Sequence, residues 1–179
     1  MNEAYSGFWT KDPPTRTTVV ADFVVPDALV EISMIAVPTG AERVVIHPSG
    51  WIKSPSPYSY AIRTDDTLFL SGLVSRNGRD NAVVGGDINA QTAVVLDNAA
   101  ELLKAAGMSF DNVVSSRVFL PDGGSFQAMN AVYRKYFASA PPARATVVAG
   151  LAGPQYVVEI TLVASSAQKR VIDDGRPSN

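Results

Sequence analysis

The sequence predicts an α+β domain in which two helices cover one face of a β-sheet. Two observations lead to this class. From residue 43 onward, segments of strand and helix character follow one another as strands, helix, strand, helix and strands. The chain is also 46% hydrophobic over 179 residues, which is enough apolar material for one domain with a core of its own.

Three strands are predicted before the first helix, and a fourth separates the two helices. Residues 43–47 form a short strand, and residues 58–63 and 67–74 alternate as a hairpin across a turn at 64–66. Residues 112–120 are rich in β-branched side chains, which are typical of strands.

The two helices have recognisable ends. The first covers residues 88–106, with Asp87 as its N-cap and Gly107 as the residue that ends it. The second covers residues 126–138, after a turn rich in glycine, and Ser125 is its predicted N-cap.

The last two predicted strands carry the polar residues that suggest a binding site. Residues 141–165 form two strands around a Gly/Pro turn at 150–154. If the strands pair antiparallel about that turn, Arg144 faces Glu159, with Thr146 on the same face and apolar residues on the other. The alternative is a solvated cross-strand ion pair, which contributes little to stability.

The N-terminal part of the chain repeats the end of this unit. When the N-terminal part of the sequence is aligned without a gap on the C-terminal part, Arg16 falls on Arg144 and Glu31 falls on Glu159. The polar face of the strand pair is kept in both copies. Further identical pairs are Asn2 and Asn130, Tyr5 and Tyr133, Pro14 and Pro142, Thr18 and Thr146, and Val30 and Val158.

We expect residues 1–42 to be this partial repeat, with a helix end at 1–11 and strands at 15–23 and 27–38. A piece of about 40 residues cannot bury a core alone and must therefore dock on something. It can pair along a sheet edge or fill an equivalent slot in a neighbouring chain. It can also be the stub of a tandem protein whose true start lies upstream.

The main domain is predicted to span residues 43–165, followed by a polar tail at 166–179. Residues 1–128 could instead form one domain as a circular permutant, with the copy in place of the last two strands. That arrangement would cut the second helix and lose hydrogen bonds there, so the order 43–165 is favoured.

Composition excludes several classes of function. The net charge of −2 argues against a nucleic-acid footprint, which needs clustered lysine and arginine. The absence of cysteine excludes disulfides, thiol nucleophiles and zinc–thiolate sites. No apolar run approaches the length that spans a membrane, and no signal-peptide pattern opens the chain, so we expect a cytoplasmic protein.

Residues 43–165 resemble the RidA/YjgF family of reactive-intermediate (enamine/imine) deaminases. The resemblance covers the whole domain and rests on a set of motifs that together are specific. They are Ser56-Pro57-Tyr58-Ser59, Leu70-Ser71-Gly72, Gly86-Asp87, Gln91-Thr92, Leu96-Asp97-Asn98, Met129-Asn130, Tyr133, Pro142-Ala143-Arg144 and Val158-Glu159-Ile160.

The resemblance implies a chorismate-mutase-like fold with a mixed sheet, two helices on one face, and here an extra helix end plus strand pair in front. It implies a homotrimer with sites between neighbouring subunits, and neither a metal nor a cofactor. Arg144 would hold the carboxylate of a small 2-imino or 2-enamino acid, and Glu159 would activate water.

The resemblance also implies substrate-binding roles for five further residues: Tyr58, Ser71, Gly72, Asn130 and Thr146. Many members of the family have Gln where Tyr60 and Leu73 stand, and some have Cys where Thr146 stands. These differences bear on the side chain of the substrate. The retained Arg16 and Glu31 suggest an additional pseudo-site formed by the copy.

The leading interpretation is thus a cofactor-independent hydrolase of the 2-iminobutanoate/2-iminopropanoate deaminase type. It would convert 2-imino acids to 2-keto acids and ammonia. The alternative is a non-catalytic member of the same family that binds small carboxylates or has a regulatory role. Binding without turnover would distinguish the second from the first.

Overall fold

The computed structural model describes residues 1–139 and 141–167, so most of the predicted tail at 166–179 lies outside the described residues. The described residues form three α-helices and six strands. The helices are α1 (Asn2–Ser6), α2 (Ile88–Ala105) and α3 (Phe126–Tyr136), and the strands are β1 (Val44–Ile46), β2 (Ala61–Thr64), β3 (Thr67–Leu70), β4 (Val113–Leu120), β5 (Ala143–Val148) and β6 (Glu159–Ser165).

The strands form one mixed sheet in the order β1-β2-β3-β6-β4-β5. All neighbours are antiparallel except β4 and β5, which run parallel. Helix α3 connects these two strands, as a parallel pair requires a crossover connection. The predicted mixed sheet with two helices is therefore confirmed.

The predicted hairpin between the last two strands is wrong, because β4 lies between β5 and β6. Arg144 pairs with Ser116, which in turn pairs with Leu162, so Arg144 does not face Glu159. The connection 149–158 is longer than the roughly two to five residues of a hairpin loop, so it can cross β4. The largely buried strand β6 takes the central place, and the exposed β5 takes the edge.

Helices α2 and α3 pack on the sheet around one apolar core. Asp87 is confirmed as the N-cap of α2, since its carboxylate accepts a hydrogen bond of 2.9 Å from the Ala90 amide. Gly107 follows the helix with φ +74°, a conformation that favours glycine. The fully buried side chains that fill the core include Leu68, Leu96, Leu102, Leu103, Leu120, Met129, Ile160 and Leu162.

Ser125 occupies the N-cap position of α3, as predicted, but its side chain makes no capping hydrogen bond there. A 3₁₀ turn, Gly123–Ser125, precedes the helix and has its own cap. The Asp122 carboxylate accepts a hydrogen bond of 3.0 Å from the Ser125 amide. Aspartate is a favoured capping residue, so the side-chain cap lies one turn earlier than the start of α3.

The N-terminal copy docks on the domain without forming the strand pair predicted for it. Its helix end is present as α1, but neither 15–23 nor 27–38 is a strand, apart from one bridge between Val20 and Gly150. Residues 24–37 are exposed apart from one half-buried position, and Leu29 is 95% accessible. An isolated strand pair without a sheet to join is at best marginally stable, which explains the difference.

Candidate active site

The candidate site forms where β2, β3 and β6 meet, next to the docked N-terminal segment. Tyr58 precedes β2, Ser71 and Gly72 follow β3, and Glu159 is the first residue of β6. Leu73 and the residue after Glu159 exchange two backbone hydrogen bonds, of 2.9 and 3.0 Å, which hold Gly72 against Glu159. Adjacent strands thus bring together residues that are distant in the sequence.

Gly72 leaves the space that the Glu159 side chain occupies. A Cβ atom at this position would lie 1.9 Å from Oε1 of Glu159 and 3.0 Å from Cγ2 of Thr17. Real Cβ atoms do not approach other atoms so closely, so any side chain here would displace the carboxyl. The absence of a side chain at position 72 therefore leaves room for the carboxyl group in this place.

The Glu159 carboxyl has the properties of an acid–base group. The residue is only 4% accessible, and burial raises its pKa to about 7. A backbone hydrogen bond from Thr18 and the positive charge of Arg16 act in the opposite direction but do not cancel the burial. Its Oε2 atom is buried without a hydrogen-bond partner in the described part of the chain. That oxygen remains free for a ligand.

The Arg16 guanidinium lies between two tyrosine rings. Its Cζ atom is 5.0 Å from the centroid of the Tyr5 ring and 5.6 Å from that of Tyr58, within the range of cation–π contact. Atom Nη1 is buried without a hydrogen-bond partner, and no ion pair with Glu159 occurs within 4.0 Å among the described residues. The site therefore holds an unpaired cationic nitrogen and an unpaired carboxyl oxygen.

Backbone hydrogen bonds fix Arg16 in this place. The Arg16 amide donates to Oγ of Ser71 over 2.9 Å, and the Gly72 amide donates to the Arg16 carbonyl over 3.1 Å. The hydroxyl of Ser71 donates in turn to the Ser59 carbonyl over 2.7 Å. The Ser71 hydroxyl, expected to orient water and substrate, is thus engaged in holding the N-terminal segment.

A side-chain contact continues this attachment toward β6. The hydroxyl groups of Thr17 and Thr161 are hydrogen-bonded at 2.6 Å. Beyond them, Val20 and Gly150 exchange two backbone hydrogen bonds, of 2.7 and 2.9 Å. The segment 13–20 is therefore attached along its length to the domain.

The structure brings together only some of the predicted site residues. Tyr58, Ser71, Gly72 and Glu159 lie in one place, together with Arg16. The other residues named by the sequence lie elsewhere in the chain. Arg144 is exposed on β5, Thr146 lies on the same strand, Asn130 is buried in α3, and Glu31 is exposed in the segment 24–37.

Within one chain, Arg144 is remote from the Glu159 carboxyl. Two strand spacings separate β5 from β6, which is roughly 10 Å. The Arg144 guanidinium instead lies over the ring of Tyr133, with Cζ 4.6 Å from the centroid, and near that of Phe126, at 5.8 Å. It can reach a site of this kind only in another chain.

Sequence reasoning missed three contributors to the site, namely Tyr5, Thr17 and Ser59. The repeat held a signal for the first, because Tyr5 aligns with Tyr133, the ring on which Arg144 lies. Thr17 aligns with Ala145 and so could not be found through the repeat. Ser59 contributes through backbone and hydroxyl contacts with Pro13 and Pro14, which depend on how the segment docks.

Two features bear on metals and membranes. No group of three or more histidine, aspartate or glutamate side chains that could hold a metal ion occurs in the described ranges 1–139 and 141–167. Across those same ranges, none of the helices has both the length and the apolar character that crossing a membrane requires.

Comparison with known proteins identifies the family. The family model described as Endoribonuclease L-PSP matches residues 51–166. A RutC family protein of Sulfurisphaera tokodaii is 42% identical over 113 residues, which cover 63% of this chain and 90% of that relative. The chain therefore belongs to the endoribonuclease L-PSP family, which is the RidA/YjgF family of the resemblance.

Solved structures agree with this fold. A member of the conserved Rid protein family from Yersinia pestis superposes with a TM-score of 0.65 at 30% identity, covering 69% of this chain and 99% of that one. The YjgF gene product of Escherichia coli gives a TM-score of 0.63 at 26% identity, covering 69% of this chain and 98% of that one. The N-terminal segment that contains Arg16 lies outside the residues that the family model matches.

Proposed function

We propose that this protein is a cofactor-independent hydrolase of the 2-iminobutanoate/2-iminopropanoate deaminase type. It would convert 2-imino acids, and 2-enamino acids through their imine tautomers, to 2-keto acids and ammonia. One observation carries the proposal. It is the buried Glu159 carboxyl, with a pKa of about 7, close to an unpaired guanidinium nitrogen of Arg16.

In the first step, Glu159 acts as a carboxylate and accepts a proton from a water molecule. The water oxygen attacks the imine carbon, and the resulting carboxylic acid gives its proton to the imine nitrogen. The C=N double bond thereby becomes a C–N single bond in a carbinolamine. An acid–base group is most effective when its pKa lies close to the working pH, as the pKa of Glu159 does.

In the second step, Glu159 transfers the proton of the new hydroxyl group to the nitrogen. The C–N bond breaks as the C=O bond forms, and ammonia leaves. One water is consumed for each ammonia released, and the carboxylate is restored. No redox change occurs, so the chemistry requires only a general acid–base group and a means of holding the substrate.

The carboxylate next to the reacting carbon is the group through which the protein can bind the substrate. A guanidinium binds a carboxylate through two parallel, charge-assisted hydrogen bonds, which orient it as well as hold it. The family resemblance implies this role for Arg144 on β5, and the aligned residue of the N-terminal copy is Arg16. Asn130 and Thr146, on α3 and β5, would reach a site only across an interface of the proposed homotrimer.

A small cavity adjoins the candidate site. A cavity of about 30 Å³ lies beside Tyr58 and Gly72 and is also lined by Tyr60 and Arg76. Such a volume accepts a water molecule or a methyl-sized group.

A ribonuclease function, suggested by the description of the family, has less support. RNA binding depends on clustered positive charge, whereas this chain has a net charge of −2. A role as a non-catalytic carboxylate-binding protein would use the same guanidinium. It predicts binding of a 2-keto acid without any effect on the imine.

The loss of imine absorbance tests the proposed function. An amino-acid oxidase or dehydratase would generate 2-iminopropanoate or 2-iminobutanoate in solution, and the imine would be followed with and without this protein. We expect the protein to accelerate imine loss and to yield the 2-keto acid and ammonia in equal amounts. Unchanged imine decay, together with measurable 2-ketobutyrate binding, would instead establish the binding role.

A further inference from the structure

The N-terminal segment repeats side-chain contacts at the end of α3 and beside β5, although it forms no strand. In α1 and the turn after it, the rings of Tyr5 and Trp9 lie 4.4 Å apart between centroids. At the aligned positions, the rings of Tyr133 and Phe137 also lie 4.4 Å apart. A helix end with a packed aromatic pair thus occurs in both copies.

Each copy also places its arginine on its own tyrosine. Arg16 lies over Tyr5 with its Cζ 5.0 Å from the ring centroid, and Arg144 lies over Tyr133 at 4.6 Å. The chain therefore presents the same arginine–tyrosine unit twice. A guanidinium held on a ring has its planar fork oriented in advance, which suits it to bind a carboxylate.

Only the N-terminal copy of this unit lies at the site of its own chain. Residues 13–19 are half-buried there, whereas the aligned strand β5 is mostly exposed at the sheet edge. The backbone of Thr18, the counterpart of Thr146, lowers the pKa of the Glu159 carboxyl. Asn2, the counterpart of Asn130, lines a groove with Ser56 and Pro57, just before Tyr58.

We propose that Arg16 supplies the guanidinium that binds the substrate carboxylate, and that it does so within its own chain in place of Arg144. The ligand class is a small 2-imino or 2-keto acid, so this inference rests on the proposed function for its chemistry. The two unpaired atoms, Nη1 of Arg16 and Oε2 of Glu159, are the groups that such a ligand would engage.

The geometry gives the two atoms different partners on the ligand. The Arg16 guanidinium binds the ligand carboxylate, whose two oxygens match its paired N–H donors. The Glu159 oxygen binds the water or the hydroxyl group at the neighbouring carbon. Because Arg16 and Glu159 form no direct ion pair, neither group has to be released before a ligand binds. One chain then holds every charged group that the reaction requires.

Single substitutions of the two aligned arginines test this inference. Arg16→Ala is expected to lower kcat/KM for 2-iminobutanoate, and affinity for 2-ketobutyrate, by about a hundredfold, the effect of losing charged hydrogen bonds. Arg144→Ala is expected to change both by less than about threefold, because on this proposal Arg16 already supplies the guanidinium that binds the carboxylate. The reverse pattern, or equal losses in both variants, would overturn the inference.

Two further variants control for folding and for loss of charge. Arg16→Lys keeps the positive charge and most of the side chain but lacks the planar guanidinium. We therefore expect it to show most of the affinity loss of Arg16→Ala, with an unchanged thermal unfolding midpoint. Arg134→Ala removes an exposed arginine at the end of α3 and should behave as the wild type. If Arg16→Lys binds as tightly as the wild type, bidentate binding by Arg16 is wrong.

Mixing two inactive variants tests whether Arg16 acts within its own chain. Arg16→Ala and Glu159→Gln chains would be co-expressed and purified together. If each site uses its own Arg16, no site in the mixture has both groups, and activity stays at the level of the variants. Restored activity would show that the guanidinium comes from a neighbouring chain and would contradict the inference.

Binding separates failure of this inference from failure of the proposed function. If the wild type does not accelerate imine loss, the deaminase proposal is wrong, and the titration with 2-ketobutyrate alone decides the role of Arg16. Weaker binding of 2-ketobutyrate by Arg16→Ala, with unchanged binding by Arg144→Ala, would then still support the inference about Arg16. If the wild type does not bind 2-ketobutyrate, or Arg16→Ala binds it equally well, the inference is wrong.

Discussion

Glu159→Gln is expected to lower kcat/KM for 2-iminobutanoate by about 10² to 10⁴, the range typical of losing a general acid–base group. Glutamine has nearly the same size and can occupy the same space beside Gly72. It cannot accept a proton from water at neutral pH, however, and cannot return one to nitrogen. The loss should therefore appear in kcat, while 2-ketobutyrate binding through Arg16 should change little.

Stability distinguishes this loss of activity from a loss of folding. Because burial raises the folded pKa of Glu159 to about 7, folding favours the protonated form. The associated stabilisation is complete below the unfolded pKa and is lost as pH rises through about 7. The Glu159→Gln variant avoids this loss, so above that pH it should unfold at a temperature equal to or higher than the wild type.

A matched control for Glu159→Gln is the same change at an exposed position. Glu42 lies before β1, outside the site, and Glu42→Gln should retain full activity. If Glu159→Gln were as active as Glu42→Gln, the carboxyl would have no acid–base role. A lower unfolding temperature for Glu159→Gln above pH 7 would indicate that the interactions of the carboxylate with Thr18 and Arg16 outweigh the effect of its burial.

Gly72→Ala is expected to reduce kcat/KM by about a hundredfold, because the new methyl group would take the place of Oε1 of Glu159. The Cβ would also lie 2.8 Å from Cδ of the same carboxyl, so the whole group must move. Displacing a catalytic group by about 1 Å is enough for a loss of this size. Overpacking should in addition cost roughly 1–3 kcal/mol of stability.

Gly85→Ala is the control for Gly72→Ala. A Cβ at Gly85 would meet no heavy atom within 4 Å, so activity and stability should stay close to those of the wild type. Both variants would be compared by imine loss and by urea unfolding. Full activity in Gly72→Ala would mean that the carboxyl position is not critical for the reaction.

The elements of the main domain could be predicted because local patterns determine them. Asp87 and Gly107 mark the ends of α2 through hydrogen bonding and backbone conformation, which depend on a few adjacent residues. The neighbour of β5 could not be predicted in this way. Strand pairing is non-local, and the sequence pattern of β5 fits the side of β4 as well as a hairpin with β6.

The candidate site was predictable only in part for the same reason. The motifs around Tyr58, Ser71 and Glu159 identified one half of it, since adjacent strands bring them together. The other half depends on where the N-terminal copy docks. The repeat marked Arg16 as a residue of the same type as Arg144, but its place in the site depends on the hydrogen bonds that its backbone makes with Ser71 and Gly72.

The pH dependence of imine hydrolysis tests the central claim, that the Glu159 carboxylate takes a proton from water in a deaminase reaction. The wild-type kcat/KM for 2-iminobutanoate would be measured from about pH 5.5 to about pH 9, after subtracting the uncatalysed decay. Because only the deprotonated carboxyl is a base, the account predicts that kcat/KM rises with pH and levels off, with a midpoint near the Glu159 pKa of about 7. A catalysed rate that is constant or falls across this range, or no catalysed rate at any pH, would contradict it.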